Sequence, residues 1–197
     1  KTEEINSSIT KALKEADSKS GGSGNNYPDI QLLLQNSTRR DIPVMIEAKG
    51  TKNKLEKLSK DGDIELISKG KNPYSVVQQY AVNGALHYGL AILDEATYNE
   101  VIIIGINGWE LNDGWVANPE HKAYYVSQKN GKVPKEIPDF EFSQMKSENI
   151  DSLYHMLDRL LLTDKELEKL KRDKEELLEQ SIKNIHQRIY DDVAIKN

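Results

Sequence analysis

Residues 42–49, Ile42-Pro43-Val44-Met45-Ile46-Glu47-Ala48-Lys49, decide how this chain reads. A short apolar and β-branched run that ends in charged side chains predicts a strand, here over Ile42 to Ala48. Alternation along a strand sends Glu47 and Lys49 to the same face. Upstream, Asp29 to Leu34 is a second strand candidate, and Asp29 enters it where it could approach Glu47 across the sheet. Two carboxylates converging at a strand end are hard oxygen ligands suited to magnesium, with the backbone carbonyl of Ala48 as a third donor. A lysine beside them can orient a water or stabilise charge developing on a phosphate. Metal-assisted phosphodiester hydrolysis uses such a set.

Working outward, Ile5, Ile9, Ala12, Leu13 and Ala16 put one apolar stripe on a helix over Glu3 to Ser18. The glycine-rich stretch Ser20 to Asn26 then breaks it. Gly50 to Lys71 is polar, lysine-rich and expected to be irregular. Tyr74 to Leu93 shows helical character, and Val101 to Ile106 is a continuous apolar run of the kind that forms a buried strand. Trp109 to Val126 reads as a strand or two around turns at Asn112-Asp113-Gly114 and Asn118-Pro119. Leucines and isoleucines at three-, four- and seven-residue intervals predict two closing helices, Asn149 to Leu162 and Asp164 to about Ile189. Thr163 and Glu166 form a capping signature between them.

Composition narrows the function classes. The 197 residues include no cysteine, which excludes a disulfide framework, a zinc ribbon and a thiol nucleophile. Four histidines, spread along the chain, leave little for a histidine-based metal site. The longest uncharged run, Asn72 to Leu93, is interrupted by Gln, Asn and His and does not read as a membrane span. No basic and apolar leader opens the sequence, so secretion is not expected. Mean hydropathy is −0.67, that of a soluble, rather polar protein.

Pro28-Asp29, followed eighteen positions later by Glu47-Ala48-Lys49, resembles the signature of the PD-(D/E)XK nuclease superfamily. The resemblance implies an α/β, restriction-endonuclease-like core with a central mixed sheet flanked by helices, magnesium as cofactor, and cleavage of DNA. It implies Asp29 and Glu47 as metal ligands and Lys49 as the residue that positions or activates the attacking water. Members often add a glutamate from the first helix, where Glu15 is best placed. Restriction-type members often carry a glutamine on the helix after the E-x-K strand. This helix has no strict Q-x-x-x-Y match, but Gln79, Asn83 and His87 form a polar stripe at four-residue spacing. That stripe is expected to line the cleft, with Gln79 in the glutamine role and Gln78 as the alternative.

Tyr80 to Tyr88, with Val101 to Gly105, further resembles the amino-terminal endonuclease domain of bacterial restriction–modification proteins fused to an adenine-specific DNA methyltransferase. Ser181 to Lys196 resembles the helical lead-in to that methyltransferase. These likenesses imply a bacterial cytoplasmic protein acting on double-stranded DNA. Methyltransferase and target-recognition domains would then lie in a longer polypeptide, with a dimer as one arrangement for cutting both strands. The expected organisation is a nuclease domain over residues 1–150 and a helical connector over 151–197. A nuclease-fold DNA-binding or interaction module without activity, and a structure-selective repair nuclease or resolvase, are the alternative readings.

Charge is uneven. Residues 39–71 carry nine basic and six acidic side chains, whereas residues 94–151 carry five and eleven, so the net −5 is stored away from the expected cleft. Lys52, Lys54, Lys57 and Lys60 follow Lys49 with only Glu56 opposing them, well placed to track phosphates. Arg39 and Arg40 are weaker candidates for the same role. Tyr80, Gly84 and Tyr88 are expected to pack in the core, with Gly84 allowing close helix–sheet approach. Trp109 and Trp115 are expected to pack beneath a hairpin.

Overall fold

The computed structural model describes residues 7–16, 27–68, 72–161 and 163–194, so the glycine-rich stretch and both ends of the first expected helix lie outside the described residues. The chain divides into two compact units, Lys1–Leu161 and Leu162–Asn197. The first is built on a five-stranded sheet. Its strands β1 (Ile30–Gln35), β2 (Asp41–Lys49), β3 (Glu100–Asn107), β6 (Glu120–Ser127) and β7 (Lys135–Glu136) lie in that order. β2 and β3 pair in parallel and every other neighbouring pair is antiparallel. A small hairpin, β4 (Leu111–Asn112) with β5 (Trp115–Val116), interrupts the β3–β6 connection.

The apolar runs of β2 and β3 are continuous because both faces of the sheet are covered. On one face Met45, Val101, Ile103 and Val126 meet helix α1 (Ser7–Glu15) through Ile9 and Leu13. They also meet α3 (Ala81–Glu95) through Leu86, Tyr88 and Ile92. On the other face Val44, Ile46, Ile102, Ile104 and Tyr125 meet α4 (Ile150–Arg159) through Ile150, Leu153, Tyr154 and Leu157. The alternation of 44, 46 against 45, and of 102, 104 against 101, 103, is the two-residue period of a strand read out as two cores. This is the α/β class expected, a mixed sheet flanked by helices, consistent with a restriction-endonuclease-like core.

Two expectations shift. The helix over Tyr74 to Leu93 is broken into α2 (Ser75–Gln79) and α3 by Tyr80, which is extended at φ −113° and ψ 135°. The compact unit also runs eleven residues past the expected boundary at 150, because the apolar face of α4 is buried in the core rather than presented to a downstream partner. Among its described residues the second unit forms one helix, α5 (Asp164–Ala194), with Leu177, Leu178, Ile182 and Ile185 exposed. Its start is the capping box read from the sequence. Thr163 donates N–H and Oγ1 to Glu166 Oε2, at 2.8 Å each, and Glu166 N–H returns to Thr163 Oγ1 at 3.4 Å. Among the described residues no helix is long and apolar enough to cross a membrane.

α3 lies unusually close to the sheet at Gly105. A Cβ there would fall 2.5 Å from Val82 Cγ2 and 2.6 Å from the Val82 backbone nitrogen. Gly105→Ala is therefore expected to destabilise the fold by about 2 kcal/mol, since backbone cannot yield as a side-chain tip can. Urea unfolding measures it, and an unchanged midpoint would show that α3 lifts from β3 at no cost.

Candidate active site

The antiparallel register of β1 and β2 pairs Ile30 with Ile46, so the next step along the ladder sets Asp29 beside Glu47. Asp29 Oδ2 accepts the Ala48 N–H at 2.8 Å. An extended residue directs its N–H and C=O to the same edge, so the Ala48 carbonyl leaves on the Asp29 side. Glu47 is only 2% exposed, and Lys49 Nζ donates to its Oε2 at 3.0 Å. The structure thus brings Asp29, Glu47 and Lys49 together where β2 ends, as strand alternation and pairing require.

Burying Glu47 needs a helix with no side chain in the way. Gly84 of α3 provides it, since a Cβ at this position would meet Glu47 Cγ at 3.4 Å and the Val77 carbonyl oxygen at 2.8 Å. A carboxylate in so dry a place is stable only with positive charge or donors beside it. Four residues on from Gly84, on the same helix face, stands Tyr88. It is buried, and its phenol is pushed well above the ordinary range, first by burial and then by the charges of Glu47 and Asp29. The sequence placed Tyr88 in the core, and it does pack there, but it also feels both carboxylates. Its four-residue spacing from Gly84 was the available signal.

The break at Tyr80 comes from the lysine-rich loop after β2. Lys54 and Leu55 turn their carbonyls onto the first N–H groups of α3, accepting from Ala81 at 2.9 Å and Val82 at 2.8 Å. Gln79, Asn83 and His87 consequently do not form one stripe. Gln79 is exposed on α2, its Oε1 accepting from Lys54 Nζ at 2.9 Å, and the same ammonium sits 4.3 Å from the Tyr80 ring centre. Gln78 Oε1 accepts instead from Asn72 Nδ2 at 3.3 Å. Asn83 is 0% exposed and does not line a cleft. Its Oδ1 accepts the Lys57 N–H at 2.9 Å, and its Nδ2 donates to the carbonyls of Lys57 at 2.8 Å and Glu65 at 2.6 Å. A group already saturated by main chain has nothing left for a phosphate.

No local pattern singles out Asn107, which does for the start of the loop what Asn83 does for its middle. Also 0% exposed, it donates Nδ2 to the carbonyls of Lys49 at 2.6 Å and Thr51 at 2.9 Å, and accepts Lys54 N–H at 3.1 Å. Glu56 ties the loop to the sheet, accepting from Lys122 Nζ and, at 2.7 Å, from the Tyr124 hydroxyl. Lys52 and Lys57 are exposed on this braced loop, and Lys52 Nζ lies 5.9 Å from the Trp109 ring centre.

Other candidates fall elsewhere. Glu15 and His87 line a depression of about 420 Å³ between α1 and α3, with Asp94 and Glu95; none of Asp29, Glu47 and Lys49 lines it. Trp115, expected beneath the hairpin, is 80% exposed on it, because the two-residue strands are too short to cover an indole. Arg40 sits where β2 begins, at the end opposite Lys49. Its guanidinium grips Glu100 through Nε at 2.6 Å and through Nη2, and reaches Asp158 through Nη1 at 2.7 Å. Tyr125 adds a 2.6 Å hydroxyl bond to Glu100. Arg40, considered for phosphate, is fully engaged, and its pKa is raised chiefly by the bond to Glu100. Among the described residues no three His, Asp or Glu side chains gather as a metal cage.

No protein-family model matches the chain, and no significant match to a solved structure is found. Over 150 residues, 76% of the chain, it is 31% identical to the type II restriction enzyme and methyltransferase RM.BcgI of Heyndrickxia coagulans. The match covers 21% of that protein, so the chain spans about a fifth of the relative it resembles.

Removing Arg40 would leave Glu100, which is largely enclosed, with the Tyr125 hydroxyl but without its counter-charge. Arg40→Ala is expected to lower stability by about 3 kcal/mol, the cost of stranding one member of an enclosed ion pair. Urea unfolding reads the loss, and a change under about 0.5 kcal/mol, the scale of an ordinary surface substitution, would show the network to be incidental.

Proposed function

We propose that this chain is the nuclease part of a restriction system, hydrolysing phosphodiester bonds of double-stranded DNA with magnesium. The observation that carries the reading is the buried Glu47 at the end of β2, with Lys49 on its carboxylate and Asp29 beside it. Similarity to a protein named as restriction enzyme and methyltransferase supports the same reading at a coarser level. Methylation and choice of target would fall to other parts of such a system.

The donor set fits the ion. Asp29, Glu47 and the Ala48 carbonyl are all oxygen donors, few enough to leave positions for water and phosphate, as magnesium prefers. When bound, magnesium would supply Lewis-acid stabilisation of the phosphate and a more acidic water. The protein's own residues do the rest. Glu47 fixes the Lys49 ammonium through a 3.0 Å bond, aiming it at the attacking water and at the charge that builds on the phosphoryl oxygens. Water adds to phosphorus, the bond to the leaving sugar oxygen breaks, and one water proton ends on that oxygen. Gln79 steadies Lys54 beside the site, and Lys52 and Lys57 meet the flanking phosphates. Tyr88, its proton held by burial, stays a neutral donor near the carboxylates.

Purified protein should nick or cut plasmid DNA only with magnesium. Glu47→Ala, Asp29→Asn and Lys49→Ala should each slow cleavage by about 10³-fold. Calcium should raise the melting temperature of the wild type and of Lys49→Ala but not of Glu47→Ala, because only the ligand variant loses the ion's stabilisation of the folded state. Cleavage that survives Glu47→Ala would remove this site from consideration.

A further inference from the structure

The segment from Gly50 to Leu66 has no regular structure beyond one bridge, Leu58 to Ile64, yet its backbone is held at nearly every turn. Asn107 takes the carbonyls of Lys49 and Thr51 and the N–H of Lys54, while Gly108 N–H adds a second donor to the Lys49 carbonyl at 3.1 Å. Asn83 takes both backbone groups of Lys57 and the carbonyl of Glu65. Both asparagines are fully buried. A buried amide whose hydrogen bonds are all satisfied adds little net stability over an apolar residue of similar shape. What it adds is one defined arrangement of the groups it holds. A surface loop kept merely for its charge would not need that definition; a loop that must present cations to a rigid polyanion at set positions would.

We propose that Asn107 and Asn83 are positioning residues with separate tasks, Asn107 fixing Lys49 for the chemical step and Asn83 fixing Lys57 for phosphate binding. This rests on the nuclease reading of the site. Asn107 acts on the main chain of the reacting lysine, because it grips the carbonyl of Lys49 itself. Asn83 acts eight residues further along, on the main chain that carries an exposed lysine. Loss of Asn107 therefore frees the lysine aimed at the attacking water, and loss of Asn83 frees a contact that binds ground state and transition state alike.

The test is steady-state cleavage of supercoiled plasmid by the full chain with magnesium, paired with binding of a short fluorescein-labelled duplex in calcium. Asn107→Ala should lower kcat about 10²-fold with KM little changed, the scale of a misplaced catalytic group. Asn83→Ala should raise KM and duplex Kd by about tenfold, keep kcat, and flatten the salt dependence of binding. The double variant Lys49→Ala/Asn107→Ala should be no slower than Lys49→Ala alone, the non-additivity of residues that act as a unit. Where Asn107→Ala fails to melt cooperatively, Asn107→Asp takes its place, keeping the shape and the acceptor while removing both donors. Equal effects of the two asparagines on KM, or additive losses in the double variant, would overturn the division of tasks. So would loss of cooperative melting in both Asn107 variants, which would make the residue a folding element. A wild type that binds duplex but shows no Lys49-dependent cleavage overturns the nuclease reading instead, and the calcium binding arm still decides the role of Asn83.

Discussion

A carboxylate placed almost out of water at the end of a strand is the constraint around which this fold is arranged. Glu47 is 2% exposed, and an ionised group in that position is expensive unless charge and donors are brought to it. Each neighbour can be read as an answer to that demand. Lys49 returns along the same face to bond it, Asp29 arrives from β1 by register, and Gly84 lets α3 close over it without a side chain. The closeness of α3 then propagates. It requires glycine again at Gly105, and it sets the first N–H groups of α3 against the loop that leaves β2, which supplies their acceptors.

The same sheet separates two kinds of electrostatics at its two ends. Where β2 and β3 begin, Arg40, Glu100, Asp158 and Tyr125 form a closed set in which every charge has its partner, and the result is structural. Where β2 ends stand an enclosed carboxylate, a lysine bonded to it, and exposed lysines on a braced loop. A chain of net charge −5 can hold such a place because the excess acid lies in residues 94–151. The loop lysines are spent unequally. Lys54 is engaged by Gln79 and the Tyr80 ring, while Lys57, among the described residues, is held through its backbone, and so the rigid part of the loop and its displayed charge are different atoms.

Much of the fold was legible because it follows from periods of two and of three to four residues. The apolar run before Glu47 gave β2, Val101 to Ile106 gave β3, and the leucine spacing with Thr163 and Glu166 gave α4 and the start of α5. The convergence of Asp29, Glu47 and Lys49 was legible for the same reason, since alternation and antiparallel pairing are local rules. The stripe Gln79, Asn83 and His87 misled because four-residue spacing implies one face only on an unbroken helix, and the break at Tyr80 is imposed by carbonyls some twenty-five residues earlier. The end of the first unit misled because α4 and α5 carry the same leucine spacing, which records that a helix has an apolar face and not what covers it.

What the sequence determined by itself, then, is the identity and the order of the groups: strands with two buried faces, a carboxylate and a lysine on one of those faces, and a run of lysines after them. What only the tertiary structure decided is which polar groups are spent on the protein itself. Asn83 reads as a cleft-lining amide and is a buried clamp, as is Asn107, which no local pattern singles out; Arg40 reads as a phosphate-tracking cation and is closed in an ion-pair network; Trp115 reads as packed beneath a hairpin and stands in solvent. Whether a hydrogen-bonding side chain faces water or main chain depends on which distant backbone groups the fold leaves without partners. That is a property of how the elements pack, and local spacing carries no record of it.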